Sequence, residues 1–232
     1  MRALFKVGLS MNIRNVLFAA VALAVSQSAA ASPNLIANGD FSLGNTAFSS
    51  QYSADVYAYS EGTFVVGNDP HLAHSGAISF GDHTTGNGLM MLVNGTVQPN
   101  RTVWQEVLAV TTNTQYDFQG WITTWGRLGG PNVDPSPPVL QLLVNGVQVG
   151  ADFNVDPANG QWSLFSATWS SANSTFATLS ILDTNTQPVG NDFALDDLSF
   201  TAAVPEPDTY AMFIAGLGIM GLVVRRRRNN NT

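Results

Sequence analysis

The chain has 232 residues, no cysteine and a formal charge of −7, with the charge unevenly placed. Between Ser32 and Val204 it carries two arginines, no lysine and fourteen of the sixteen carboxylates, a formal −12. So acidic a surface repels phosphate backbones and argues against nucleic-acid binding, leaving divalent cations and neutral polymers such as glycans as partners. Without cysteine there is no disulfide scaffold, thiol catalysis or cysteine-based zinc site, so the roughly 170 residues between the two ends depend on their core alone.

In chain order, Arg2, Lys6 and Arg14 come first, then the apolar run Val16–Val25 and the small residues Ser28-Ala29-Ala30-Ala31. That order is a secretory signal peptide over residues 1–31, cleaved after Ala30 or Ala31 by signal peptidase once the secretion machinery has engaged it. The apolar run is too short for a membrane anchor. Met11 is an alternative start that keeps Arg14 as the positive end.

Residues 32–203 are predicted to form one all-β domain of nine or ten strands, a sandwich or barrel. Asp55–Tyr59 and Thr63–Val66 flank Glu61-Gly62 as a hairpin, and Gly88–Val93 is a strand ending at Asn94-Gly95. Thr102–Val110 and Gln115–Trp125 pair across Thr112-Asn113. Prolines in the stretch from Gly129 to Pro138 make it a loop. Val139–Val144 and Val147–Phe153 meet at Asn145-Gly146, the strongest hairpin signal in the chain. Trp162–Trp169, Thr175–Asp183 and Phe193–Thr201 complete the strands, and no stretch has helical periodicity with caps.

The C-terminal segment 204–228 reads as an address. Pro205-Glu206-Pro207 precedes the apolar stretch Tyr210–Val224, and Arg225, Arg226, Arg227 and Arg228 close it. Fifteen helical residues span about 22 Å, short of a ~30 Å hydrocarbon core. Seven strongly apolar side chains contribute roughly −2 to −4 kcal/mol of apparent insertion energy. The four arginines stop transfer and hold the C-terminal end in the cytoplasm, which puts the domain outside.

This order of Pro-Glu-Pro, short transmembrane helix and arginine cluster resembles the PEP-CTERM sorting signal. The resemblance implies a Gram-negative host with an exopolysaccharide locus, and an exosortase that cleaves near the tripeptide after an inner-membrane stage. The alternative is a tail anchor that is never processed. Within the domain, Asn34-Leu35-Ile36-Ala37-Asn38-Gly39-Asp40-Phe41 and Gly190-Asn191-Asp192-Phe193-Ala194-Leu195-Asp196-Asp197-Leu198 resemble the first and last strands of galactose-binding-like jelly rolls, the fold of many carbohydrate-binding modules. In that family, acidic residues on these strands hold a structural calcium. The matching positions here are Asp40 and Asp197, although Ser42 stands where the motif commonly has Glu. Local turn hydrogen bonds are the alternative role for these carboxylates.

Other candidates come from residue type. Tyr52, Tyr57, Tyr59, Trp121 and Trp125 are a possible stacking platform for sugar rings, whose C–H faces are apolar. Trp125, beside Gly126 and the long loop, is the one expected to be exposed, whereas Trp104, Trp162 and Trp169 are expected in the core. His71, His74 and His83 with Asp69 and Asp82 are too loosely spaced for a zinc site. Glutamate is scarce in the domain (Glu61 and Glu106), and no nucleophile elbow or phosphate loop is present. The expected function is a non-enzymatic surface or matrix protein that associates with exopolysaccharide. A structural protein acting by protein contacts is the alternative, and a glycan hydrolase the weakest class.

Overall fold

The computed structural model describes residues 32–127, 129–187, 189–203, 215–221 and 226. The signal peptide and Pro205-Glu206-Pro207 lie outside the described residues, as do Arg225, Arg227 and Arg228. Of the transmembrane helix expected over 210–224, residues 215–221 are described and are helical. Among the described residues no helix is long and apolar enough to cross a membrane.

Ser32–Ala203 form one compact unit, and it is a β-sandwich. The strands are β1 (Ser53–Ala54), β2 (Thr63–Gly67), β3 (Met90–Asn94), β4 (Arg101–Ala109) and β5 (Gln115–Thr124). They continue with β6 (Val139–Val144), β7 (Val147–Asn154), β8 (Ser163–Ser170), β9 (Phe176–Asp183) and β10 (Phe193–Ala202). A single turn of helix, α1 (Pro70–Ala73), follows β2, capped by the Asp69 carboxylate accepting from His71 N. One sheet runs β1-β2-β3-β10-β5-β8 and the other β4-β9-β6-β7. From β3 onward the chain crosses between sheets at nearly every step, as in a jelly roll.

Alternation explains the core. In β6, Leu140, Leu142 and Val144 face inward, and in β5 Tyr116, Phe118 and Ile122 do the same. They meet Phe41, Trp104, Phe165, Ile181 and Phe200 between the sheets. β3 is apolar without alternation because both of its faces are covered. Met91 and Val93 enter the main core, while Met90 and Leu92 form a second cluster on the outer face with Ala73, Ala194, Phe80 and Trp162.

The Asn145-Gly146 hairpin forms as expected. Both residues have positive φ (52° and 78°), and Val144 pairs with Val147. Two other pairings do not form. β4 and β5 lie in different sheets, because β4 pairs with β9 while β5 pairs with β10 and β8. Around Glu61-Gly62 the strands β1 and β2 pair in parallel, so that turn does not close a hairpin. The opening segment is also not a regular strand. It docks along β10 through Leu35 N to Phe200 O, Leu198 N to Gly39 O and Phe200 N to Asn34 Oδ1.

Candidate functional site

At one end of the sandwich, four segments meet: the residues after α1, the end of β5 with the loop that follows, the 131–135 loop and the approach to β10. They enclose a cavity of about 580 Å3. Its apolar lining includes Ala77, Trp125, Pro131, Val133, Pro135 and Val189, and its polar groups are His74, Arg127, Asp134 and Asp192. The frame is set by backbone bonds: Ile78 N to Gly126 O, Trp125 N to Asp192 O and Asp134 N to Pro157 O. Asn159 locks the corner, its Oδ1 accepting from Gly126 N (3.0 Å) and Thr124 Oγ1 (2.9 Å). A Cβ at position 126 would collide with the Asn159 side chain, which is why glycine stands there.

A row of aromatic rings leads from solvent into this cavity. Tyr57 and Tyr59, both about half exposed, have ring centroids 5.4 Å apart. Tyr59 lies 4.9 Å from the His74 ring, which lies 5.8 Å from Trp125 at 81°. Gly76 N donates to His74 Nδ1, so the neutral imidazole carries its hydrogen on Nε2. Three of the five stacking candidates, Tyr57, Tyr59 and Trp125, thus belong to one row, with a histidine joining them.

Trp125 is not the exposed ring that was expected. It is 2% exposed, and its Nε1 donates to Val93 O at 2.9 Å, so only part of it reaches the cavity wall. The cause is local: Asn159 packs onto Gly126 and draws the end of β5 inward. Tyr52 is likewise a core residue. Trp121 stands apart on the outer face of the six-stranded sheet, one of its faces occupied by His83 at 3.9 Å and 14°. Trp104 is buried as expected, but Trp162 and Trp169 are half-buried. Trp162 in fact belongs to the outer cluster with Phe80 and His83.

The carboxylates of the cavity are unusual. Burial, reinforced by Asp134, Glu61 and Asp183, pushes Asp192 up to about 7 despite the hydrogen bond from Gly95 N to its Oδ1. Asp134 is raised by burial too, against hydrogen bonds from Ser136 N and Asn191 N. Behind them, Asp183 is 1% exposed and raised by burial to about 7, and among the described residues its Oδ2 accepts no hydrogen bond. Asn191 Oδ1, on a side chain with 0% exposure, is also unpartnered.

Asp40 and Asp197 do line one shallow depression, of about 390 Å3. Asp40 Oδ1, however, accepts from Ser42 N and Oγ. Asp197 Oδ2 lies 2.7 Å from His83 Nδ1 and also accepts from Thr84 Oγ1. Neighbouring Asp196 accepts from His83 N and is raised to about 7, first by burial and then by Asp197 and Asp82. Calcium takes six to eight oxygens. Among the described residues no three His, Asp or Glu side chains gather as a metal-ligand set, and the carboxylates of Asp40 and Asp197 are engaged by local hydrogen bonds. The histidines have structural partners: His71 Nδ1 bonds Ala77 O at 3.0 Å, and His83 joins the two aspartates of β10.

Sequence reasoning missed Asp134, Asp192 and the bridging role of His74. They lie on separate loops, and only the excess of acids over bases in the domain hinted at them.

The PEP-CTERM protein-sorting motif matches residues 203–228. Among curated proteins none matches the chain. Solved structures similar to it include the EclA C-terminal domain, a sugar-binding protein (18% identity, 45% of this chain and 73% of that one, TM-score 0.37). Another is the CBM22-1 xylan-binding domain of Paenibacillus barcinonensis Xyn10C (14% identity, 77% and 100%, TM-score 0.47). A third is a family 16 carbohydrate-binding module (14% identity, 72% and 99%, TM-score 0.38).

Proposed function

We propose that this protein is an exported, exosortase-sorted envelope or matrix protein whose sandwich domain binds exopolysaccharide without acting on it. The supporting observation is the row Tyr57–Tyr59–His74–Trp125 running into the cavity beside β5. Two exposed tyrosines give apolar faces for pyranose rings, and the Nε2–H of His74 and the two carboxylates give hydrogen-bonding groups for hydroxyls. The sorting motif at 203–228 supports export and an inner-membrane stage before processing by the exosortase. From there the protein passes to the cell surface or the extracellular matrix.

The test is retention of the protein on exopolysaccharide from its host. Tyr57→Ala with Tyr59→Ala should lower retention at least about tenfold, since each base-sized or sugar-sized ring stacked on an aromatic contributes of order 1 kcal/mol. Both rings are exposed, so the melting temperature should not move. Undiminished retention in the double variant would remove the aromatic row as the binding surface.

A hydrolase is the second reading, favoured by one observation, that Asp134 and Asp192 line the same cavity. Release of new reducing ends from the polysaccharide, lost in Asp192→Asn, would establish it over simple binding.

A further inference from the structure

The domain has two arginines against fourteen carboxylates, and the cavity concentrates that imbalance. Asp192 and Asp134 both line it, with Glu61 and Asp183 close enough to act on Asp192. Asp192 Oδ1 accepts from Gly95 N, and among the described residues its Oδ2 accepts from no group. Cationic balance is thin. Arg127 is exposed at the rim, where water and salt screen it. His74 is held with Nδ1 as an acceptor, and Arg101 is not among the residues that line the cavity.

Resting on the glycan-binding reading, we propose that the cavity selects a cationic sugar, an amino sugar with a free amine. Asp192 would receive the ammonium, Asp134 would stand beside it, and the aromatic row would carry the neighbouring rings. An ammonium brings what this ground lacks, a donor with three hydrogens and a positive charge. A uronic acid brings a further carboxylate and meets repulsion. Burial first, and then the neighbouring Asp134, Glu61 and Asp183, raise the proton affinity of Asp192 in the free protein. Binding therefore couples to a proton. As the pH rises through about 7, Asp192 ionises and the amine is held more tightly, for as long as the amine itself stays charged.

The experiment uses the full chain in mild detergent and three sets of oligosaccharides of equal length. These are β-1,4-linked glucosamine with free amines, its N-acetylated counterpart and a polyuronate. The first pair share a skeleton and differ in the acetyl group that replaces the charge with a neutral amide. Tighter binding of the free amine by at least about tenfold at low salt, shrinking as salt is added, is the expected result. Asp192→Asn should bring the two affinities within about threefold of each other, since an amide offers no net charge to an ammonium. Should that variant fold poorly, the preference of the wild type for the free amine, and its loss as salt is added, decide alone. Equal binding of the amine and its acetylated form overturns the inference and leaves glycan binding standing. Preference for the polyuronate does the same and makes Arg127 the selecting residue. Failure to bind any of the three overturns the glycan reading, and this inference with it.

Discussion

Raising the pH from about 5 to about 8 should destabilise the domain, and Asp183→Asn should remove a large share of that loss. Asp183 is 1% exposed at the end of β9. Its Oδ1 accepts from Val139 N (3.2 Å) and Asn185 N (3.0 Å), among the described residues its Oδ2 accepts no hydrogen bond, and burial pushes it to about 7. In the unfolded chain an aspartate titrates near 3.9. Between those two values the folded protein holds a proton that the unfolded chain has released. Stability is therefore full below about pH 4, declines as pH rises, and levels off above about 7. A gap of about three units corresponds to at most about 4 kcal/mol. The neutral acid also gives Oδ2 a hydrogen to share with Asn191, whose Oδ1 is the neighbouring unpartnered acceptor. Asparagine at 183 would keep the Oδ1 contacts and place an N–H where that hydrogen sits. Urea unfolding of wild type and variant at both pH values measures the difference. The variant should be the more stable of the two at pH 8, by about 1 to 2 kcal/mol. Some slope should remain, since Asp192 and Asp196 are raised to about 7 by burial and act with the same sign. Wild type that is more stable at pH 8 than at pH 5 would refute the reasoning, because it would mean that these carboxylates ionise in the fold at no cost.

Trp125→Ala should cost about 3 to 5 kcal/mol in denaturant unfolding, as a buried aromatic does. A cost under about 1 kcal/mol would restore it to the surface. Gly126→Ala forces a Cβ against Asn159 and should lower both the melting temperature and polysaccharide retention. Unchanged values would mean that the corner is not a fixed frame for the cavity. Millimolar calcium added to chelated protein should leave the melting temperature where it is. A rise of several degrees would instead revive Asp40 and Asp197 as ligands. In a host with an exosortase, mass spectrometry should find mature protein without Asn231-Thr232. Recovery of the chain with that terminus would leave the tail as a permanent anchor.

What was legible in the sequence was what is local. Asn145-Gly146 dictates its own hairpin, because two consecutive positive φ angles suit few other residue pairs. Alternation likewise marks β6 and β5 as half-buried strands. The Thr112-Asn113 turn misled because strand pairing across sheets is decided by distant residues: Ala109 pairs with Phe176, far along the chain, and not with its neighbour across the turn. Tyr57 and Tyr59 could be nominated from their polar surroundings. Trp125 was misjudged because Gly126 suggests a loop to a reader of sequence, whereas its role is to admit the side chain of Asn159. The carboxylates of the cavity were hidden for a similar reason. Asp134 and Asp192 are 58 positions apart in the chain and meet only when the 131–135 loop folds against the entry to β10.

The scarcity of basic side chains also bears on how the domain survives outside the cell. Trypsin-like proteases cut after lysine and arginine, and residues 32–203 offer them two bonds, after Arg101 and Arg127. The first lies in β4, hydrogen-bonded against β9. The second follows an exposed side chain beside Gly129 and Gly130 and is the one within reach. A nick there would part β1–β5 from β6–β10 in sequence only. β10 still pairs with both β3 and β5, β8 with β5, and β9 with β4, so the two fragments remain interleaved in both sheets. Even after its accessible bond is cut, the domain would hold together as one body.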